Sequence, residues 1–447
     1  MGLVRLVLFC PSFFMFLVFS LIFKKQKMKK KLLGFCVLLS ASLSAQQMVQ
    51  QVYVLNEGYF NYATGAIEEP VILGTYSPTT QAYSIVDTLE NMRFASDMII
   101  GDGKLYVAAD ERIFSYDVTN NQLIGSISLP GVRNLAYAGN KLIATRGEYL
   151  TTYSSYLHVY DANSLQLVSA IDTVTGPKWA TQNMVVNGNK VYIAVNNGYE
   201  WGNEKGIIGE LDLTSLVYGN EIDLGVDGKN PDNMVFSNGY LYTVNNKDWS
   251  GSSISRVDLQ TGLANTTNIA TASTGCGTSC LRNDNIYYQI SGETVLNEWS
   301  TITMLPVGPV SGLSMNFYEL SENPVNGDFY ASTTDYTTSG TVHVFDNANN
   351  LIHSFQAGVS PGTIVFDVRS TASLIENALE LNVFPNPASE SISLGNYSGS
   401  ITIVNSIGQL VLTVHVNPYE KISIEGLSSG IYLIQSERSQ PKYFVKK

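Results

Sequence analysis

Cysteine, histidine and charge are all scarce in this chain of 447 residues, which holds four cysteines, four histidines and 14% charged residues. So few cysteines exclude a disulfide-stapled scaffold, and 45% hydrophobic residues supply cores that make staples unnecessary. His158, His343, His353 and His415 are scattered, and none joins a cysteine at metal-ligand spacing, so no metal site is read from them. No serine combines a Gly-x-Ser-x-Gly elbow with a credible base, and no catalytic residue is assigned. Acids outnumber bases, 38 to 26, and a net charge of −12 repels phosphate backbones, which excludes nucleic acid as a partner.

The bases that exist crowd the start of the chain. Residues 1–45 hold seven of them and no acid, so a product beginning near Gln46 carries −19. Two apolar runs, 3–23 and 32–43, flank the basic stretch 24–31. From Met28, Met-Lys-Lys-Lys followed by Leu-Leu-Gly-Phe-Cys-Val-Leu-Leu and Ser-Ala-Ser-Leu-Ser-Ala reads as a complete secretory signal. We therefore expect a signal region over 1–45, a true start at Met28, cleavage after Ala45, and no stable membrane span after processing. The alternative is a membrane anchor over 3–23, a run long enough to span. Cys10 and Cys36 leave with the signal. Cys276 and Cys280, in Cys-Gly-Thr-Ser-Cys, then pair with each other or stay free; an oxidising exterior favours the disulfide, provided the segment curls.

What the chain does have is a repeat. A Leu-Tyr-Val-like core recurs at Val52-Tyr53-Val54, Leu105-Tyr106-Val107, Leu142-Ile143-Ala144, Val191-Tyr192-Ile193, Leu241-Tyr242-Thr243, Ile286-Tyr287-Tyr288 and Phe329-Tyr330-Ala331, with middle positions 37 to 53 residues apart. A period of that size filled with short strands and tight turns predicts an all-β, seven-bladed propeller of four-stranded blades. Third strands end in aspartate, as at Asp117, Asp161, Asp212, Asp258 and Asp346, where the carboxylate caps the following turn. The first core has no strand before it, and an unpaired strand, Thr363-Ile364-Val365-Phe366, follows the seventh blade; the latter is expected to complete the former and close the ring. Blade six fits the pattern least well.

The propeller is thus placed over 46–369, a linker over 370–380, and a small β-sandwich over 381–447. In that last unit Val383-Phe384-Pro385-Asn386-Pro387-Ala388, Gly408-Gln409, Leu427-Ser428-Ser429-Gly430-Ile431-Tyr432 and the basic end from Lys442 to Lys447 together resemble the type A sorting domain of the type IX secretion system of Bacteroidota. The resemblance implies recognition by that secretion machinery and an extracellular or outer-surface destination. The preceding residues resemble YncE-like and surface-layer-type propellers that begin with Leu-Asn-Glu-Gly, here Leu55-Asn56-Glu57-Gly58. Some members of that group capture vitamin B12, which makes a corrinoid one ligand the resemblance implies; a sorting domain in place of a lipoprotein cysteine departs from their pattern.

Loops after second and fourth strands emerge on one face of a propeller, and here they are long and rich in aromatics and amides. The candidate ligand-binding residues are Asn56, Glu57, Tyr59, Arg93, Arg133, Arg146, Trp179, Asn197, Trp201, Asn246 and Trp249. Aromatic faces beside amides supply stacking and directional hydrogen bonds with little charge, which suits a small organic molecule, corrinoid or glycan. The expected function is a non-enzymatic binding propeller with no resident cofactor. An adhesive scaffold requires a flat face, and a secreted lyase or hydrolase requires acids converging over the central channel.

Overall fold

The computed structural model describes residues 47–275, 279–370, 381–406, 408–436 and 439–447. The expected signal region, most of the expected linker and the Cys276 half of the expected disulfide lie outside the described residues. Each Leu-Tyr core is the second strand of a four-stranded antiparallel sheet, and seven such sheets follow one another. Blades two to five start at the strands Ala95–Gly101, Val132–Ala138, Thr181–Asn187 and Pro231–Ser237. Blade six runs Ser279–Arg282, Asn285–Gln289, Leu296–Ser300, Pro306–Pro309, which fills in the two strands its sequence left unclear. Blade seven starts at Leu320–Glu322 and ends with Leu351–Val359.

Blade one is assembled from both ends of this region. The strand Pro361–Ser370 pairs antiparallel with Gln47–Asn56, in a register that sets Val52 opposite Phe366 and Val54 opposite Ile364. The expected closure is what the structure shows.

The repeat motif has a packing reason. A second strand is covered on both faces, so alternation sends its residues to two different neighbours. Tyr53 and Leu55 of blade one pack with Leu105 and Val107 of blade two, while Tyr106 and Ala108 pack with Leu142 and Ala144 of blade three. Similar clusters join every consecutive pair, the last uniting Tyr330 of blade seven with Val52 and Val54 of blade one. Burial of each large side chain at these seams stabilises by about 1.5–3 kcal/mol. The tyrosine adds a tether at its tip. Tyr106 donates to the carbonyl of Ala162 at 2.8 Å and Tyr242 to that of Thr301 at 3.2 Å, each in the third-to-fourth turn of the next blade. Tyr53 donates to Asn121 Oδ1 at 2.5 Å in the same place.

The third-strand aspartates cap turns as expected: Asp161 accepts from the amides of Asn163 and Ser164, and Asp212 from those of Thr214 and Ser215. Cys280 packs at the seam of blades six and seven, and burial pushes its thiol above the usual range.

The C-terminal unit holds the sheet Leu410–Val416, Gly399–Asn405, Gly430–Ser436, Ser439–Lys446 and the short pair Ser391–Ile392 with Ile422–Ser423. The basic end is therefore an edge strand. Asn386 of Pro-Asn-Pro fastens to it, accepting from the amide of Val445 at 2.9 Å and donating to the carbonyl of Tyr443 at 3.0 Å. Two motifs distant in sequence thus meet at one strand, over a core that includes Ile403, Ile434 and Phe444.

Candidate functional site

One position of the first strand recurs around the channel. The residue just before the one paired with the last member of each Leu-Tyr core is Thr363 in blade one, Asp97 in two, Asn134 in three, Asn183 in four, Asn233 in five and Glu319 in seven. The blade-six equivalent, residue 278, lies outside the described residues. In blades two to five the register slips here, and such a bulge turns two consecutive side chains toward the same side. Arg133 and Asn134, Gln182 and Asn183, Asp232 and Asn233 consequently all face a cavity of about 980 Å³.

The floor is tied together around the ring. Asp97 accepts from the amide of Met98 at 2.8 Å and, across the seam, from that of Leu135 at 2.7 Å. Asn183 accepts from the amide of Met234 at 3.3 Å, and Asn233 donates to Ser279 Oγ at 2.9 Å. Glu57 enters from the loop after the first core. Its backbone amide bonds the carbonyl of Ser360 at 2.9 Å, and its carboxylate accepts from the Tyr318 hydroxyl at 2.8 Å. Two glycines allow the close approaches this loop requires. Gly58 adopts φ +76° where a side chain would meet the carbonyl of Glu69 at 2.5 Å, and a Cβ at Gly362 would lie 2.1 Å from Glu57 Oε1.

Three carboxyls over one channel hold their protons more tightly than usual, chiefly through burial. Burial pushes Glu57 up to about 7, against the opposing help of the Tyr318 hydroxyl and the Arg133 charge. Burial likewise takes Asp97 to about 6, although the amides of Leu135 and Met98 favour its charged form. Glu319 is driven well above the usual carboxylate range by burial, with the charges of Asp97 and Glu57 adding to it.

Above the floor stands an aromatic rim. Trp201 is 76% exposed and Trp249 40%, and Tyr149 leans on Trp201 with centroids 6.2 Å apart. Between rim and floor the Arg133 guanidinium lies 5.4 Å from the Phe94 ring and 4.7 Å from that of Tyr199.

Of the residues singled out in the sequence, the structure brings Glu57, Arg133, Trp201 and Trp249 to this cavity. The others serve the loops themselves. Asn56 is fully buried, donating to the Ile72 carbonyl at 2.9 Å and accepting from the Gly358 amide at 2.8 Å. Asn197 donates to Glu200 at 2.9 Å, and Asn246 joins the Gly275 carbonyl to the Thr274 amide. Arg93 is committed to Asp110 and Glu148. Arg146 donates to the carbonyls of Pro130 and Ser155 beneath the Tyr153 ring. Trp179 lies 5.0 Å from the Lys205 ammonium, and Tyr59 belongs to a short hairpin, Tyr59–Asn61 with Ala66–Glu69.

The floor acids Asp97 and Glu319 and the amide of Asn183 were missed. The signal that finds them is a polar residue directly before the Met or Leu of each first strand: Asp97-Met98, Asn134-Leu135, Asn183-Met184, Asn233-Met234, Glu319-Leu320.

Two segments spell Gly-x-Ser-x-Gly, 358–362 and 426–430, and each joins strand to strand; Ser360 is buried with its hydroxyl 3.3 Å from that of Thr334. Neither is a strand-to-helix nucleophile elbow. Among the described residues no group of three or more His, Cys, Asp or Glu could hold a metal ion.

The fold and tail define a class, an exported β-propeller with a C-terminal sorting address. Residues 382–447 match the family described as a secretion system C-terminal sorting domain, so a type IX sorting domain is present and the destination is the outer surface or the medium. No curated protein matches the chain. Two solved structures of Hsv2 from Kluyveromyces lactis, the second with its complete loop 6CD, align at 12% identity over 79% and 72% of this chain and 98% of theirs, with TM-scores of 0.41 and 0.40. A likeness that slight carries nothing about function.

Proposed function

We propose that the propeller is a non-enzymatic binding protein whose funnel holds a small organic ligand outside the cell, a corrinoid or a glycan. The observation that carries this is the cavity itself, with stacking surfaces at the rim and hydrogen-bonding side chains from several blades below. Its 980 Å³ stands at the upper end of the range for small-molecule sites. A pocketed face of this kind argues against an adhesive scaffold, which needs a broad flat one. The test is calorimetry on the full secreted chain against corrinoids and a glycan panel. Saturable heat with one class supports the reading, and silence from both sinks it.

The converging acids favour one second reading, a secreted hydrolase or lyase. Glu57, held half-protonated near neutrality with Tyr318 against it, has the properties of a general acid, and Asp97 or Glu319 would then be its partner. Shortened or unsaturated oligosaccharide products released by the wild type and absent with Glu57→Gln would replace binding by catalysis.

A further inference from the structure

We propose that the ligand is a glycan bearing free amino groups, its ammonium seated among Glu57, Asp97 and Glu319 and its hydroxyls meeting the amides on the far side. The inference rests on the binding reading above and narrows it to one chemistry.

Charge comes first. The cavity lining presents Glu57, Asp97, Glu148, Asp232 and Glu319 against the single guanidinium of Arg133. Glu148 is answered by Arg93, but none of Glu57, Asp97 and Glu319 forms an ion pair with a described residue. Arg133 is drawn between two rings. Burial keeps protons on these carboxyls while no cation faces them, and an ammonium seated among them favours their charged forms, so the protons leave as it binds; the aromatic rim offers it further attractive faces on its way in.

An independent observation says the ligand also carries oxygen. Asn230 lines the cavity and is only 2% exposed; its Oδ1 accepts from Asn196 at 3.2 Å, while its Nδ2 has no partner among the described residues. A buried donor left open costs roughly 1–3 kcal/mol, so the site is built to meet an acceptor there. Asn134 presents the converse, a buried Oδ1 without a described partner. One open donor and one open acceptor in the same cavity match hydroxyl groups, which are both. Trp201, Trp249 and Tyr149 give the C–H faces of sugar rings a surface to stack on. A bare polyamine would leave Asn230 unmet, and a metal ion finds no adequate ligand group among the described residues.

The experiment is calorimetry of the full secreted chain at pH 7 against four probes: a glucosamine tetramer, its fully N-acetylated counterpart, a neutral glucose tetramer and spermidine. The glucosamine tetramer should bind at least tenfold more tightly than either uncharged tetramer and than spermidine. Glu319→Gln should erase most of that preference. Because Asp97 also holds backbone, Asp97→Asn is read only beside its melting curve, and Glu319→Gln carries the decision. Equal affinity for charged and uncharged tetramers overturns the amine assignment and leaves the glycan reading standing. Spermidine binding as tightly as the glucosamine tetramer overturns the glycan half. A corrinoid signal with no response to any tetramer overturns the whole inference but not the binding function, and silence from every probe sinks both.

Discussion

At one and the same strand position, blades seven and two set acids against the channel, whereas blades three, four and five set amides there. Glu319 and Asp97 occupy it on one side, with Glu57 added from a loop, and Asn134, Asn183 and Asn233 occupy it on the other. The backbone of the repeat fixes where a side chain meets the channel and leaves open what it is. Symmetry supplies the ring; broken symmetry supplies a direction across it, so a ligand with two unlike ends has one way to lie.

The largest way to break the comparison is at Asp97. Asp97→Leu removes the acceptor of two backbone amides and strands the one on Leu135; we expect a loss of about 3 kcal/mol, read from urea unfolding. Asn183→Leu, on the amide side, strands a single longer bond to Met234 and should cost less.

The acid sector should also announce itself in pH dependence. Folding holds Glu57 protonated up to about 7 and Asp97 up to about 6, where the unfolded chain would have released both protons. The folded state therefore binds more protons between about pH 4 and 7, and its advantage is full below that window and lost as the pH rises through it, by on the order of 3 kcal/mol per group. Thermal unfolding should show a higher midpoint at pH 5 than at pH 8, and Glu57→Gln should flatten part of the slope.

Smaller effects sharpen what the sectors share. Tyr106→Phe keeps the ring at the seam but drops the bond to Ala162, for about 1 kcal/mol by chemical denaturation. Trp201→Ala combined with Trp249→Ala should leave stability within roughly 0.5 kcal/mol, since surface changes away from special contacts usually do. Ligand binding should vanish in that double variant. A large fall in melting temperature with binding retained would assign the indoles to packing.

The contrast between sectors was hidden in the sequence for a physical reason. Blade count, closure by residues near Ile364 and the aspartate turn caps were all legible, because each rests on a local pattern repeated many times. Asp97 was not, since strict alternation along a strand does not foresee a bulge that brings neighbours to one side, and Glu319 was not because it falls just before its strand, Leu320–Glu322, where alternation gives no direction. The loop amides misled in the opposite direction. Long loops must satisfy their own backbone, and Asn56, Asn197 and Asn246 are spent doing so.

The seam between Gln47–Asn56 and Pro361–Ser370 also has a consequence in time. Its two strands are separated by nearly the whole propeller sequence, and contacts so distant are slow to form because the intervening chain must first be gathered. Until residues 361–370 are available, the strand Gln47–Asn56 keeps an open edge, ready to accept any passing strand. The last segment needed to seal the ring ends only a short way before the sorting domain matched at 382–447. A chain cut or stalled before that point is thus one whose address and closing strand are missing together, and its refolding should trail that of the intact chain.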